Sequence, residues 1–171
     1  MKQVQLPNEK FLPEVCEYIN AGHTATIRAK GNSMRPFIES ERDNIVLGQF
    51  QSLHRGDVVL AEIAPRRYVL HRIDHINLNG KHVKGACSDP RAHIVLRGDG
   101  NVRGTEPCRY SHVRAIAVQI VRKGRVYNLA TSPLWRTYSV LWPALRPLRR
   151  YLLALYRLLW LHELPERFAK K

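Results

Sequence analysis

From Thr24 to Leu129 the chain alternates short strand-like runs with turns marked by glycine, asparagine or proline. This rhythm restricts the fold to a mainly β domain of short strands and hairpins. Thr24 to Ala29 alternates, with Thr24, Thr26 and Arg28 on one face. Asn44 to Gly48 is a short apolar strand. Arg55-Gly56-Asp57 is a turn, and Val58 to Ile63 reads as the buried strand after it. Tyr68 to Ile76 is the next strand. Asn79-Gly80 is a strong hairpin signal, with Lys81 to Lys84 continuing beyond it. His93 to Leu96 leads into a turn at Gly98 to Asn101. Val113 to Arg122 is apolar, β-branched and uninterrupted, as a core strand is. Lys123-Gly124-Arg125 turns it back into Val126 to Leu129.

The flanks differ from this middle. Phe11, Leu12, Val15, Tyr18 and Ile19 recur at helical spacing, which predicts a short N-terminal helix over about 7–20, ended by Ala21-Gly22. After Thr131 the chain becomes rich in Leu, Trp and Arg, punctuated by Pro133, Pro143, Pro147 and Pro165. Leu148 to Leu164 has the strongest helical pattern of all. The expected organisation is a β domain over 1–130 and a basic helical extension over 131–171.

At 171 residues one main domain with a real core is expected. The formal net charge of +14 implies attraction to something anionic: a membrane surface, nucleic acid or an acidic partner. The aromatics gather in the apolar C-terminal segment and do not interleave with Lys and Arg, which disfavours nucleic acid. Cys16, Cys87 and Cys108 are odd in number and lack a CxxC spacing, so they read as reduced thiols in a cytosolic protein. Met1 to Leu12 has no apolar run of the kind a signal peptide or membrane anchor needs.

Three framed residues carry the chemistry. Ser33 lies in Gly31-Asn32-Ser33-Met34-Arg35-Pro36, between a permissive glycine and a rigid proline. His71 lies in the alternating strand Tyr68-Val69-Leu70-His71-Arg72-Ile73. Asp99 lies in Arg97-Gly98-Asp99-Gly100-Asn101. A serine hydroxyl needs a neighbouring base and a backbone N–H that holds the oxyanion, and a buried Met34 would anchor the turn so that Ser33 points outward. Together the three suggest nucleophilic acyl transfer.

In order and spacing these segments resemble the boxes of the signal peptidase and LexA-like superfamily of serine peptidases. Ser33-Met34-Arg35-Pro36 resembles its nucleophile box. Arg55-Gly56-Asp57-Val58-Val59 is similar to its Gly-Asp-Val strand, Leu70-His71-Arg72-Ile73 to the strand of the general base, and Gly98-Asp99-Gly100-Asn101 to its Gly-Asp-Asn box. The resemblance covers roughly residues 24–122. It implies a serine peptidase with Ser33 as nucleophile, His71 as base where many relatives have lysine, and Asp99 as orienter of the imidazole. It also implies an oxyanion and substrate-binding set of Asn32, Ser33 and Met34, a peptide or protein substrate held as an added strand, and no organic cofactor or metal. Position 31 is glycine where many signal peptidases have a serine that assists the oxyanion hole. The alternative is a self-processing or non-catalytic LexA-like module on a membrane or protein partner, with Ala21-Gly22 as the bond of the kind such modules cut.

The segment Leu148 to Leu164 admits two readings. Its leucines with Arg146, Arg150 and Arg157 fit an interfacial helix on an anionic membrane, which makes the protein cytoplasmic and peripheral. Equally, Pro133 to Arg146 and Leu148 to Leu164 fit a helix pair packed on the β domain or on a second copy.

Overall fold

The computed structural model describes residues 8–161. Helix α1 (Asn8–Asn20) buries Leu12, Val15 and Ile19 of the expected stripe together with Cys16, while Phe11 is half-buried and Tyr18 is exposed. The expected start at Pro7 lies outside the described residues. Among them, nine strands form one antiparallel sheet. They are β1 (Ala25–Arg28), β2 (Asp43–Gly48), β3 (Val58–Ala64), β4 (Arg67–Leu78), β5 (Lys81–His82), β6 (His93–Arg97), β7 (Glu106–Arg109), β8 (Val113–Arg122) and β9 (Arg125–Asn128). The order is β1-β2-β8-β3-β4-β6-β7, with β5 beside β4 and β9 beside β8.

Two hairpins follow directly from turn chemistry. Asn79 and Gly80 have φ of 51° and 75°, and Lys123 and Gly124 have 49° and 78°. Two successive left-handed residues match the right-handed twist of the strands they join. No strand was expected over β7, which holds Pro107. It is the last strand of the sheet, where a missing N–H costs no ladder bond.

The sheet encloses two apolar cores. The first joins α1 with Met34, Phe37, Ile38, β2 and Ala115, Ala117 and Ile120 of β8. The second joins Leu53, Val59, Ile73, Ile76, Ile94 and Leu96. Strands β3 and β4 contribute to both clusters, so residues of β4 pass from one core to the other.

The segment after residue 131 is not set apart from the sheet. It forms α2 (Pro133–Ala144) and α3 (Arg149–Leu161). Pro133 opens α2, where its lacking N–H is harmless. Trp135 is buried, its ring edge-on to Phe37 at 4.3 Å, and Trp142 and Leu153 are buried as well. Each such side chain contributes about 1.5–3 kcal/mol when removed from water. Of the two readings of this segment, packing on the β domain therefore describes the inner faces of α2 and α3. The outer faces remain exposed. His162 to Leu164, the expected end of the last helix, lie outside the described residues.

Candidate active site

The loop between β1 and β2 carries Ser33. Its base is closed by Ala29 N–H to Asp43 O at 2.9 Å and Glu41 N–H to Ala29 O at 2.8 Å. Asp43 is wholly buried and accepts hydrogen bonds from Arg42, Arg122 and the Glu39 N–H. Burial alone would raise its pKa, but these donors outweigh burial and hold the carboxyl below its ordinary range. Within the loop Met34 is 4% exposed and anchored in the first core, Ser33 is half-buried and Asn32 is exposed. The Ser33 N–H enters no hydrogen bond among the described residues, whereas Asn32 O accepts from Arg35 N–H at 3.2 Å.

Ser33 and His71 line one cleft of about 410 Å³. Its walls are Thr26 to Lys30 of β1 and the segment after it, Tyr68 to Leu70 of β4, and apolar side chains that include Leu12, Met34 and Ile38. Both strands present an open edge here. Strand β1 pairs only with β2. Strand β4 pairs with β3 over Arg67 to Arg72, and with β6 only from Arg72 onward.

His71 is 4% exposed, and its Nδ1 meets a carboxylate oxygen of Glu106 on β7. That contact leaves Nε2 as the ring nitrogen not engaged by the carboxylate. The expected pairing of Asp99 with His71 is not the one formed. Asp99 is 2% exposed and is held by Arg72: Nε donates to Oδ1 at 2.9 Å and Nη2 to Oδ2 at 2.7 Å. The physical reason is the pleat of β4. Neighbouring side chains leave a strand on opposite faces, so the turn that meets Arg72 cannot also meet His71.

Arg72 connects three of the sequence boxes. Besides Asp99, its Nη1 donates to Gly56 O and to Ser139 Oγ, both at 2.7 Å, and its guanidinium lies 4.3 Å from the Phe37 ring centre. The turn at Gly98 to Asn101 is in turn packed on the nucleophile loop. Gly100 N–H donates to Ser33 O at 2.8 Å. A Cβ at Gly98 would stand 2.4 Å from Ser33 O, and one at Gly100 would stand 2.6 Å from Asn32 O. Only glycine permits that approach. The Gly-Asp-Gly-Asn turn thus supports the backbone of Ser33 from behind.

The C-terminal helices brace the same parts. Trp142 Nε1 donates to Asp99 O at 3.0 Å, and the buried Arg149 donates to Asn101 O at 3.3 Å. The Tyr156 hydroxyl bonds the wholly buried Glu39 in the nucleophile loop, and Arg146 pairs with Asp74 of β4.

Sequence reasoning missed Glu106, Arg72 and these helix contacts. Glu106 sits in Glu106-Pro107-Cys108-Arg109, between the Gly98 to Asn101 turn and the Val113 to Arg122 strand, a stretch to which the sequence pattern assigned no element. No local pattern in the sequence marks this carboxylate as the partner of His71. Compared with known protein families, with curated proteins and with solved structures, the chain matches none of them.

Proposed function

We propose that the protein is a serine peptidase, signal peptidase-like in its sequence boxes, that hydrolyses a peptide bond through an acyl-enzyme. One observation carries the reading: a buried His71 lies between the Glu106 carboxylate and a cleft that Ser33 also lines. A carboxylate on Nδ1 keeps the proton there and leaves Nε2 free to accept. In the proposed reaction Nε2 takes the Ser33 proton as Oγ attacks the carbonyl carbon. The Ser33 N–H then faces the developing oxyanion. Collapse breaks the C–N bond, and the imidazolium gives its proton to the departing amine. Water, deprotonated by the same nitrogen, releases the acid and restores Ser33. The open edges of β1 and β4 suit an extended chain laid between them, with main-chain hydrogen bonds giving affinity.

In this reading Asp99 is a positioning residue that acts through Arg72, and Glu106 takes the part first expected of Asp99. Self-processing at Ala21-Gly22 is disfavoured, because Ala21 and Gly22 N–H are bound to Glu17 O and Ile19 O at the end of α1. The free, buried thiols of Cys16, Cys87 and Cys108 support a cytosol-facing setting. The test is labelling with a fluorophosphonate probe, read by intact mass and peptide mapping. Wild type should gain one adduct on Ser33, and Ser33→Ala none. Absence of labelling in wild type, or equal labelling of both, would overturn the assignment.

A further inference from the structure

The two C-terminal helices have used one face each. In α3 the inward residues are Arg149, Leu153 and Tyr156. At 100° per residue, Leu148, Tyr151, Leu155, Leu158 and Leu159 fall in an arc of roughly 100° on another side. All five are more than half exposed, Leu158 and Leu159 at 62% each. Helix α2 repeats the arrangement: Trp135, Tyr138 and Trp142 face inward, while Leu134, Val140 and Leu141 are exposed. Scattered surface leucines are ordinary, but most of the large exposed apolar side chains among the described residues lie on this one hairpin.

Charge decides what fits there. From Thr131 to Leu161 there is no Asp or Glu and there are five arginines. Arg149 is buried, and Arg146 is paired with Asp74. Arg136, Arg150 and Arg157 remain exposed, the last two together on the flank of α3 between the inward face and the leucine arc, roughly 80–100° from the nearest edge of that arc. A second copy joined through this hairpin would cover the leucines but would bring no Asp or Glu of its own hairpin to the exposed arginines. A surface that is both apolar and anionic supplies the missing partners. No helix among the described residues is long and apolar enough to cross a bilayer. A helix of this length can lie along the headgroup boundary, with leucines in the acyl region and arginines at the phosphates.

We propose that the outer face of the α2–α3 hairpin docks in the plane of an anionic lipid bilayer. The inner faces of the same helices hold the Ser33 loop and the Gly98 to Asn101 turn, so docking sets the candidate site beside the membrane without unfolding it. The proposal does not depend on the peptidase reading.

Flotation of the full chain with phosphatidylcholine vesicles, with and without 30% phosphatidylserine, tests it. Binding should appear on the anionic vesicles and weaken as salt is raised from about 0.1 to 0.5 M. Arg150→Gln with Arg157→Gln should weaken it by roughly fivefold for each arginine. Leu155→Asp with Leu158→Asp should abolish it at every salt concentration. Both pairs are exposed, so circular dichroism and thermal unfolding should match wild type. The proposal is overturned if wild type ignores the anionic vesicles, or if the leucine variant floats as well as wild type. It is equally overturned if wild type sediments as a dimer that the leucine variant dissociates.

Discussion

Gly98→Ala probes the least obvious feature of the site, the seating of the Gly-Asp-Gly-Asn turn on the nucleophile loop. The added Cβ would stand 2.4 Å from Ser33 O, a distance that real Cβ atoms do not show. Reaching even the 3.0 Å limit of observed contacts requires a movement of about 0.6 Å, and ordinary contact requires about 1 Å. The obstructing atom is backbone, so no side-chain rotation relieves it. Gly98 has no positive φ, so alanine brings steric cost without conformational strain. Overpacking of this kind costs about 1–3 kcal/mol. A nucleophile misplaced by about 1 Å loses roughly 100-fold in rate. Gly85→Ala is the control, because nothing lies within 4 Å of its added Cβ and its φ is also not positive. The assay measures urea midpoints and the rate of Ser33 labelling for both variants. Gly98→Ala should lose stability, labelling rate or both, and Gly85→Ala neither. If Gly98→Ala keeps wild-type stability and labelling, the turn does not support Ser33 and the reasoning fails.

Glu106→Gln should lower turnover by roughly 100- to 10,000-fold with little change in melting temperature, whereas Asp99→Ala should destabilise by about 3–5 kcal/mol because it leaves Arg72 buried and unpaired. The reverse pattern in paired kinetics and melts would return the orienting role to Asp99. The depressed carboxyls of Asp43 and Asp74 set the acid limit of the fold. At both, burial raises the pKa, but arginine partners outweigh it: Arg42 and Arg122 at Asp43, and Arg146 and Arg97 at Asp74. A folded pKa below the unfolded value of about 4 means stabilisation present above that pH and lost as pH falls through the folded pKa. Asp57, raised mainly by burial, acts with the opposite sign. Denaturation midpoints should therefore fall steeply below about pH 4, less so in Asp43→Asn, which lacks the titrating group. Truncation after Leu129 removes the Trp142, Arg149 and Ser139 contacts, and should broaden or abolish the cooperative melt of the β domain. An unchanged melt would make the helices a separable attachment. The Cys108 thiol, pushed up to about 11 by burial, should react with a disulfide reagent at pH 8 more than 100-fold slower than after unfolding.

Much of the architecture was legible because it rests on local rules. Alternation marked β1 and β4, apolar runs marked β3 and β8, and Asn79-Gly80 and Lys123-Gly124 marked hairpins whose φ values turn chemistry demands. Met34 was legible as an anchor because an apolar side chain next to Ser33 gains by burial while the hydroxyl does not. What the sequence could not determine depends on which face meets which element across the sheet. Arg72 and His71 are adjacent in the chain, yet the pleat sends one to Asp99 and the other to Glu106. Glu106 became visible only when β7 took the sheet edge, where Pro107 is tolerated. The glycines of the Asp99 turn looked like turn formers. Their reason is instead the Asn32 and Ser33 carbonyls pressed against them, an encounter between segments more than sixty residues apart. The C-terminal helices show the same division. Composition alone determined that they are basic and apolar around most of their circumference. Only tertiary packing decided which arc is spent on the nucleophile loop and which is left outside, since burial of Trp135, Trp142 and Leu153 requires a sheet to bury them against.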